Sequence, residues 1–380
     1  MQAKSIKGNS PLEIKLALQQ SMADGYKPTL AFVFLSVKQD RHAISAMLDA
    51  QSISIFGATT AGEFIDGDIG AGTTVILLLN MHPSHFTVLL EDYSQRNAET
   101  VTKEMTSAAL RRFKNPAFIL SHGMKVPGGL TIGEPIIRTM EEVAGIGATI
   151  WGGVAGDDFI FKETSVFSNN KSLVDGIIML VLDADKILVK GQAASGWKAV
   201  GTEKTVTKAV DNWIYEIDNQ PATEMVLKYM GLNLTKEQAE TFTPGVTVFS
   251  LLRKEGEPVM RSSGIFNWDN KSIAVNGSIK AGDTIRLTLP PDFEMIETVT
   301  KEAELVRKNE MNTAEALVMF SCMGRLGEFG PMISDEINGV KNAFGVPMAG
   351  FFCYGEFGRV TNGNNEFHNQ TCCWVAFKEK

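Results

Sequence analysis

The chain repeats one arrangement of apolar runs and turns three times, and this repetition constrains its fold more than any other feature. Each copy has an apolar run ending at a serine, then a loop, a helical segment and a second apolar run. That second run closes on a small-residue turn with an acidic residue, and a third apolar run follows. The serines are Ser36, Ser121 and Ser321, and the turns are 57–63, 152–157 and 350–356. Such self-similarity predicts one supersecondary unit, β-loop-α-β-turn-β, used three times.

The repeat predicts an α/β (α+β) protein whose sheets mix parallel and antiparallel strands. Because a chain of 380 residues exceeds the usual size of one core, we expect two domains. An N-terminal domain, 28–205, would hold two units, and a C-terminal domain, 206–380, would hold the third. Short apolar runs separated by turn sequences between residues 246 and 289 add an antiparallel meander to the C-terminal domain. Short strands beside crossovers of this size favour mixed sheets over purely parallel ones.

Charge and composition argue against several classes of protein. A net charge of −8 disfavours nucleic-acid binding, since phosphate recognition needs a basic surface. No apolar run reaches the roughly 18 residues that a membrane span requires. Residues 1–10 are polar and lack the apolar centre of a secretion signal. The four cysteines have no C-x-x-C spacing, so we expect a cytoplasmic protein.

The acidic residues of the three turns are candidates for a ligand site. Glu63, Asp157 with Asp158, and Glu356 each follow a glycine at the end of a predicted strand. Glycine there allows the backbone to approach a ligand closely. The carboxylates would bind an ammonium group or activate water. The alternative is that they accept backbone N–H groups and cap the turns.

The residue after each strand-ending serine differs between the copies: it is Val37, His122 or Cys322. If the units superpose, these side chains occupy equivalent places at strand ends. His122 is a candidate metal or haem ligand. A single histidine is, however, more often a hydrogen-bonded structural residue. The sequence Pro127-Gly128-Gly129 that follows predicts a mobile loop suited to gating.

All four cysteines, Cys322, Cys353, Cys372 and Cys373, lie in the third unit. Their thiolates with His368 would ligate a soft metal. Alternatively, Cys322 and His368 would form a thiol nucleophile and its base, as in a hydrolase or amidotransferase. The spacing matches no zinc or catalytic signature, and buried cysteine is often a small apolar residue. We therefore expect a protein that is not an enzyme.

A run of polar side chains, 368–371, stands directly before the last predicted strand. Four hydrogen-bonding side chains in a row are costly to bury unless they meet specific partners. Small-molecule pockets use a few such convergent groups on an apolar lining. The predicted ligand-binding residues are Cys322, Arg325, Tyr354, Glu356, His368, Asn369, Gln370, Asp157 and Asp158. The candidate haem ligands are His122 and His368.

Taken together, these motifs resemble those of the FIST domains. The segments similar to the N-terminal FIST domain are 57–63, 152–158, Gly196-Trp197 and Pro221-Ala222. The segments similar to the C-terminal FIST domain are 320–325, 350–356 and 367–371. The resemblance runs from about residue 30 to the end of the chain. It implies a bacterial or archaeal sensory module that binds small ligands such as amino acids.

The resemblance also implies how such a protein would signal. Some members of the family are described as haem proteins that detect nitric oxide and act on a histidine kinase or a cyclic-di-GMP enzyme. Because the two FIST regions fill this chain without a fused output domain, we expect a cytoplasmic small-ligand sensor that contacts a separate partner. That partner would be a histidine kinase, a cyclic-di-GMP enzyme or a chemoreceptor. A haem-based nitric-oxide sensor and a Cys/His hydrolase or amidotransferase remain as alternatives.

Overall fold

The computed structural model describes residues 1–126, 131–234, 238, 247–263, 265–361 and 363–380. It contains mixed parallel and antiparallel sheets with helices, which confirms the predicted α/β class. The predicted mobile loop at 127–129 lies outside the described residues. Every helix in the described part of the chain is too short or too polar to span a bilayer.

The first two units follow the same order of elements. The first unit consists of β1 (Gln2–Gly8), α1 (Pro11–Met22), β2 (Leu30–Leu35), α2 (Arg41–Asp49), β3 (Ser54–Thr59), β4 (Glu63–Ile65), β5 (Asp68–Gly70) and β6 (Thr74–Asn80). After a 3-10 turn, the second unit consists of β7 (Phe86–Asp92), α3 (Ala98–Arg112), β8 (Pro116–His122), α4 (Gly133–Ala144), β9 (Thr149–Gly153), β10 (Val166–Phe167), β11 (Ser172–Leu173) and β12 (Gly176–Asp183). Each unit is thus longer than the sequence predicts, because a strand and a helix precede the repeated part.

The antiparallel meander is inserted into the third unit. The unit begins with β13 (Ile187–Ala194). The meander consists of β14 (Lys198–Val210), β15 (Trp213–Ile217), β16 (Gln220–Pro221), α5 (Ala222–Tyr229), β17 (Thr247–Leu251), β18 (Val259–Ser263), β19 (Ile265–Asn267), β20 (Ser272–Ala274) and β21 (Thr284–Leu289). The unit then continues with α6 (Glu294–Asn309), β22 (Ala316–Cys322), α7 (Met323–Phe329), α8 (Ile333–Phe344), β23 (Met348–Cys353), β24 (Glu356–Gly358), β25 (Glu366–His368) and β26 (Cys372–Glu379).

Polar caps set where several helices begin. The Ser10 hydroxyl accepts the N–H of Glu13 at the start of α1, and Pro11 follows where its missing N–H does no harm. Asp40 and Asn97 cap α2 and α3 in the same way. Each cap satisfies a backbone donor that has no partner within the helix. The helices therefore start at the positions that the sequence marks.

Each unit contains a short β-hairpin that pairs with the sheet of another unit. The hairpins are β4–β5, β10–β11 and β24–β25. The three sheets have the orders β1-β6-β2-β3-β10-β11, β7-β12-β8-β9-β24-β25 and β13-β26-β22-β23-β4-β5. In every sheet one central pair is parallel: β2 with β3, β8 with β9, and β22 with β23. The hairpin of the first unit therefore joins the third sheet, that of the second joins the first, and that of the third joins the second. This exchange closes the three units into a cycle.

The three sheets share one apolar core, and helices cover their other faces. On β2, Phe32 and Phe34 face this shared core, and the Phe34 ring lies 4.7 Å from that of Phe351 in the third unit. The alternate residues, such as Val33, pack instead with Ile44 of α2. This alternation is what a strand with two buried faces requires.

The predicted boundary between residues 205 and 206 falls within β14. Strands from the two sides of that boundary also pair, since β4 joins β23 and β24 joins β9. The meander has an eight-stranded sheet and a separate apolar core that includes Ile214 and Phe249. The division into domains 28–205 and 206–380 stays a prediction.

Candidate ligand-binding site

The three acidic turns meet where the units exchange their hairpins. Each turn makes backbone hydrogen bonds to the other two, at 2.8 to 2.9 Å. The bonds run from Ala61 to Phe352, from Gly156 to Thr59 and from Val154 to Gly355. The equivalent ends of the repeated strands therefore lie together, although each carboxylate has its own local partners.

Glu63 and Glu356 play the same structural role in the first and third units. Glu63 accepts the backbone N–H of Thr73 at 3.0 Å, and Glu356 accepts that of Thr371 at 3.2 Å. Each threonine stands directly before the last strand of its unit. Both glutamates are fully buried, and burial raises the pKa of Glu63 to about 7 and that of Glu356 to about 8. These contacts support the interpretation of both residues as turn caps.

Asp157 is also a turn cap. Its carboxylate accepts the backbone N–H groups of Phe161 at 3.0 Å, Lys162 at 2.7 Å and Glu163 at 3.1 Å. It accepts a fourth hydrogen bond from the hydroxyl of Tyr354 at 2.5 Å. These four donors occupy the lone pairs with which the carboxylate would bind a ligand ammonium group.

A cavity of about 290 Å³ opens between the second unit, the third unit and the meander. Three predicted ligand-binding residues line it: Cys322, Tyr354 and Gln370. The second unit contributes Met124, Val126, Thr131 and Phe161. The meander contributes Asn212, Ser262, Ser263, Ile265, Ala274, Val275 and Asn276. A concave, mostly apolar site with a few polar groups is the usual form of a small-molecule pocket.

The thiol of Cys322 is backed by Glu356, which lies behind the cavity wall. Glu356 hydrogen-bonds the Cys322 thiol on one side and accepts a bond from the Cys353 thiol, at 3.2 Å, on the other. Burial, followed by the nearby carboxyl, raises the pKa of Cys322 far above its ordinary value. The thiol is therefore neutral at neutral pH, which disfavours its use as a nucleophile.

Arg325 and His368 belong to the protein interior, not to the cavity lining. The buried guanidinium of Arg325 forms an ion pair with Glu336 and donates to the carbonyl of Ser195 at 2.6 Å. The His368 ring contacts the carbonyl of Gly358 at 3.3 Å, and burial lowers its pKa to about 4. Because Cys322 bonds to Glu356 and His368 to Gly358, the geometry does not favour a thiol–imidazole dyad.

Asn369 and Asp158 hold neighbouring segments in place. The side-chain oxygen of Asn369 accepts the backbone N–H of Ser262 at 3.0 Å, which fixes the third unit to the cavity-lining strand β18. Asp158 accepts the hydroxyl of Ser36 at 2.6 Å. Both residues support the surroundings of the cavity without lining it. Ligand binding by them stays a prediction.

Both candidate haem ligands are buried away from the cavity. His122 is completely buried, its Nδ1 contacts the carbonyl of Gly123 at 3.3 Å, and burial lowers its pKa to about 4. Neither His122 nor His368 lines the 290 Å³ cavity. The described residues also contain no group of three or more histidine, cysteine or acidic side chains arranged for a metal ion.

Comparison with known proteins identifies the family of this chain. A model of the FIST N domain matches residues 29–220, and a model of the FIST C domain matches residues 222–359. The chain belongs to the FIST family. FIST domains are associated with sensory signal transduction and small-ligand binding.

Two curated relatives of this FIST protein are uncharacterized proteins from two strains of Mycobacterium tuberculosis. Each is 24% identical over 243 residues, which cover 61% of this chain. The match also spans 61% of the length of each relative. The names of these relatives assign no ligand or partner.

The backbone of the FIST protein is strained on two sides of the cavity. Asp158, Phe159 and Phe161 have φ values of 54°, 63° and 55°, and Gln370 has a φ of 57°. Left-handed backbone at residues other than glycine is uncommon and gathers at ligand sites and switch regions. The Phe161 ring, which ends the first strained segment, stacks on Tyr354 at 5.3 Å with an angle of 16° between the planes.

Sequence reasoning missed the contribution of the meander and of Phe161 to the cavity. The apolar sequence Phe159-Ile160-Phe161 directly after an acidic turn was an available signal, because a loop rarely exposes three large apolar residues without a reason. The lining residues Asn212 and Ser263 carry no comparable signal. They reach the cavity only through the insertion of the meander into the third unit.

Proposed function

We propose that this FIST protein is a sensor that binds a small ligand in the cavity between the second unit, the third unit and the meander. One observation carries the proposal: three separate parts of the chain form the walls of one cavity. A ligand that touches all three favours the arrangement in which they lie together. Such differential contact is what a ligand needs to shift a conformational equilibrium.

The wall strand β18 is joined directly to the second unit, which supports a path for the signal. Ser262 and Ser263 line the cavity, and the preceding Arg261 forms a buried ion pair with Glu134 at the start of α4. Arg253 reaches the same glutamate at 3.0 Å. A movement of β18 on ligand binding would therefore pull on α4 through paired charges.

The output of the sensor would be contact with a separate signalling protein in the cytoplasm. We propose a histidine kinase, a cyclic-di-GMP enzyme or a chemoreceptor as that partner, because FIST domains are associated with sensory signal transduction. Co-purification of the tagged chain with each of these classes, with and without small-molecule extract, tests this proposal. Association with the partner that is equally strong with and without the extract would contradict a ligand-controlled output.

The haem-based nitric-oxide sensor remains a second candidate on one observation. The Nε2 atom of His122 is buried and has no hydrogen-bond partner among the described residues. If this chain holds a haem, His122 would be the residue that ligates its iron through this atom. An absorption spectrum after haem addition tests haem binding. If the wild-type protein shows no Soret band, the haem-sensor function is excluded.

Native mass spectrometry of the purified chain tests the ligand-sensing proposal. Met323 lines the cavity, whereas Met332 lies on the surface outside its lining and is 36% exposed. We expect a small-molecule adduct in the wild type and in Met332→Trp, and its loss in Met323→Trp, which fills the cavity. An adduct that survives Met323→Trp would place the ligand elsewhere.

A further inference from the structure

Among the described residues, the cavity offers no ion-pair partner to a charged ligand. Its described lining contains apolar residues and neutral polar residues, and no Asp, Glu, Lys, Arg or His. Asp157 and Glu356 contact the lining residues Tyr354 and Cys322, and both carboxyls are already engaged, Asp157 by Tyr354 and Glu356 by Thr371. A charge placed in such a site loses its hydration without compensation. The lining therefore selects against ions, including free amino acids.

Three lining residues carry polar atoms that lack partners. The Oδ1 atom of Asn212, the Oγ atom of Ser263 and the Oε1 atom of Gln370 are buried without a hydrogen-bond partner in the part of the chain that the structure describes. The amide of Asn212 is oriented, because its Nδ2 donates to the carbonyl of Val275 at 2.8 Å. Buried acceptors are nearly always paired in native proteins. All three residues line the cavity, so a ligand that donates hydrogen bonds would supply the missing partners once these side chains turn toward it.

The remaining walls suit a compact planar body. Met124 and Met323 are thioethers that adapt to the shape of a ligand. Phe161 and Tyr354 form a stacked aromatic pair at one wall. The volume of about 290 Å³ lies at the lower end of the range for ligand pockets. One ring with a short substituent fits such a space.

From these observations we infer that the ligand is an uncharged, compact molecule with an aromatic or apolar body and at least two N–H or O–H donors. A primary aromatic amide is an example of this class. The inference rests on the proposed function, since it names the ligand class of the same cavity. It differs from the amino-acid-like ligand that the family resemblance implies.

Four probes that share one ring separate charge from hydrogen bonding. Benzamide is neutral with two N–H donors, benzoate is an anion, benzylamine is a cation, and methyl benzoate is neutral without a donor. The full chain would carry 13C-methyl methionine, and the methyl signals of Met124 and Met323, assigned through Met→Leu variants, report on the cavity. We expect saturable shifts with benzamide and at least tenfold weaker binding of the other three probes.

Variants of the unpartnered groups test the donor contacts. Gln370→Leu removes an acceptor while keeping a similar side-chain volume, and we expect benzamide affinity to fall about tenfold, the cost of one hydrogen bond to a buried group. If the Gln370→Leu variant does not fold, Ser263→Ala is the smaller change. We expect it to lower benzamide affinity about threefold. The control is Met332→Leu, which lies outside the lining and should leave benzamide affinity unchanged.

Each outcome decides either the ligand class or the cavity itself. Benzoate or benzylamine binding as tightly as benzamide would overturn the neutral class, and equal binding of methyl benzoate would overturn the donor requirement. If no probe shifts the Met124 and Met323 signals, the class is wrong. The proposed function is decided separately, by the adduct that Met323→Trp removes in native mass spectrometry.

Discussion

The hydroxyl of Tyr354 donates a hydrogen bond to the carboxylate of Asp157 at 2.5 Å, although 197 positions separate the two residues. The same carboxylate caps the strained loop that ends at Phe161, and the Phe161 ring stacks on Tyr354. One side-chain pair therefore connects the turn of the second unit, the third unit and the wall of the cavity. The loop keeps its left-handed backbone because these contacts hold it.

Removing the carboxylate should therefore cost more than removing the hydroxyl. Asp157→Ala leaves three backbone N–H groups without their acceptor, and we expect the free energy of unfolding to fall by about 2–4 kcal/mol. Tyr354→Phe keeps the stacked ring and should cost about 1 kcal/mol. Urea denaturation of both variants measures the difference. Equal losses would mean that the turn does not depend on its cap.

The stability of the protein should fall as the pH rises above about 6.5. Burial raises the pKa of Glu63 to about 7 and that of Glu356 to about 8, from an ordinary value of 4.5. Over this window the native state holds protons that the unfolded chain has released, so the free energy of unfolding decreases with pH. His122 and His368, with pKa values lowered to about 4, act in the opposite direction only below their ordinary 6.5.

Denaturation at about pH 6.5 and about pH 8 measures this effect, because there the two glutamates act without opposition from the histidines. The matched variant is Glu63→Gln with Glu356→Gln, which keeps the shape of both side chains and cannot ionise. We expect this double variant to show a smaller loss of stability over the interval. A wild-type curve that is flat or rising would show that the glutamates ionise without penalty.

The repeated unit could be predicted from the sequence, but the exchange of hairpins could not. Serine-ended apolar runs and glycine-rich acidic turns mark the central strands β2, β8 and β22 and the turns after them. The hairpin strands β4 and β24 are three residues long, and their pattern does not specify which sheet they join. Pairing across more than 200 residues is decided by tertiary packing. The two-domain boundary that the sequence predicts at 205/206 therefore takes no account of this exchange.

The lining residues of the candidate site that lie at strand ends could be predicted from the sequence. Those that the meander contributes could not. Cys322, Tyr354 and Gln370 follow from the equivalence of strand ends in the third unit. The sequence gives no sign that Arg325 pairs with Glu336, because an ion pair within the interior and a ligand contact use the same residue types. Whether the nine predicted residues bind a ligand stays a prediction.

The buried ion pair between Arg261 and Glu134 should be a strong link between the meander and the second unit. Glu134→Leu leaves the fully buried guanidinium of Arg261 without its carboxylate, and we expect a loss of about 3–5 kcal/mol. Arg261→Met should cost less, because Glu134 keeps Arg253 at 3.0 Å and Arg138 at 3.3 Å. The double variant should cost less than the sum of the single ones in a denaturation cycle. Additive losses would exclude coupling.

The contact between the turns of the first two units should not tolerate a methyl group. A Cβ atom on Gly156 would lie 2.5 Å from the backbone nitrogen of Ala61, so that one of the two turns must shift. We expect Gly156→Ala to lower the free energy of unfolding by about 1–3 kcal/mol. Gly147→Ala is the control, because a Cβ atom there meets no described atom within 4 Å. Equal stability of both variants would contradict the close packing of the turns.

The thiol groups should react slowly in the folded protein. Cys322, Cys353, Cys372 and Cys373 are all buried and free, and burial raises the pKa of each above its ordinary value. Since the thiolate is the reactive form, iodoacetamide at neutral pH should label the native chain at least about 100-fold more slowly than free cysteine. Unfolding in urea should expose all four thiols to the reagent. Rapid labelling of one thiol that Cys322→Ser abolishes would instead favour the hydrolase alternative, because that chemistry needs a reactive thiolate in the cavity.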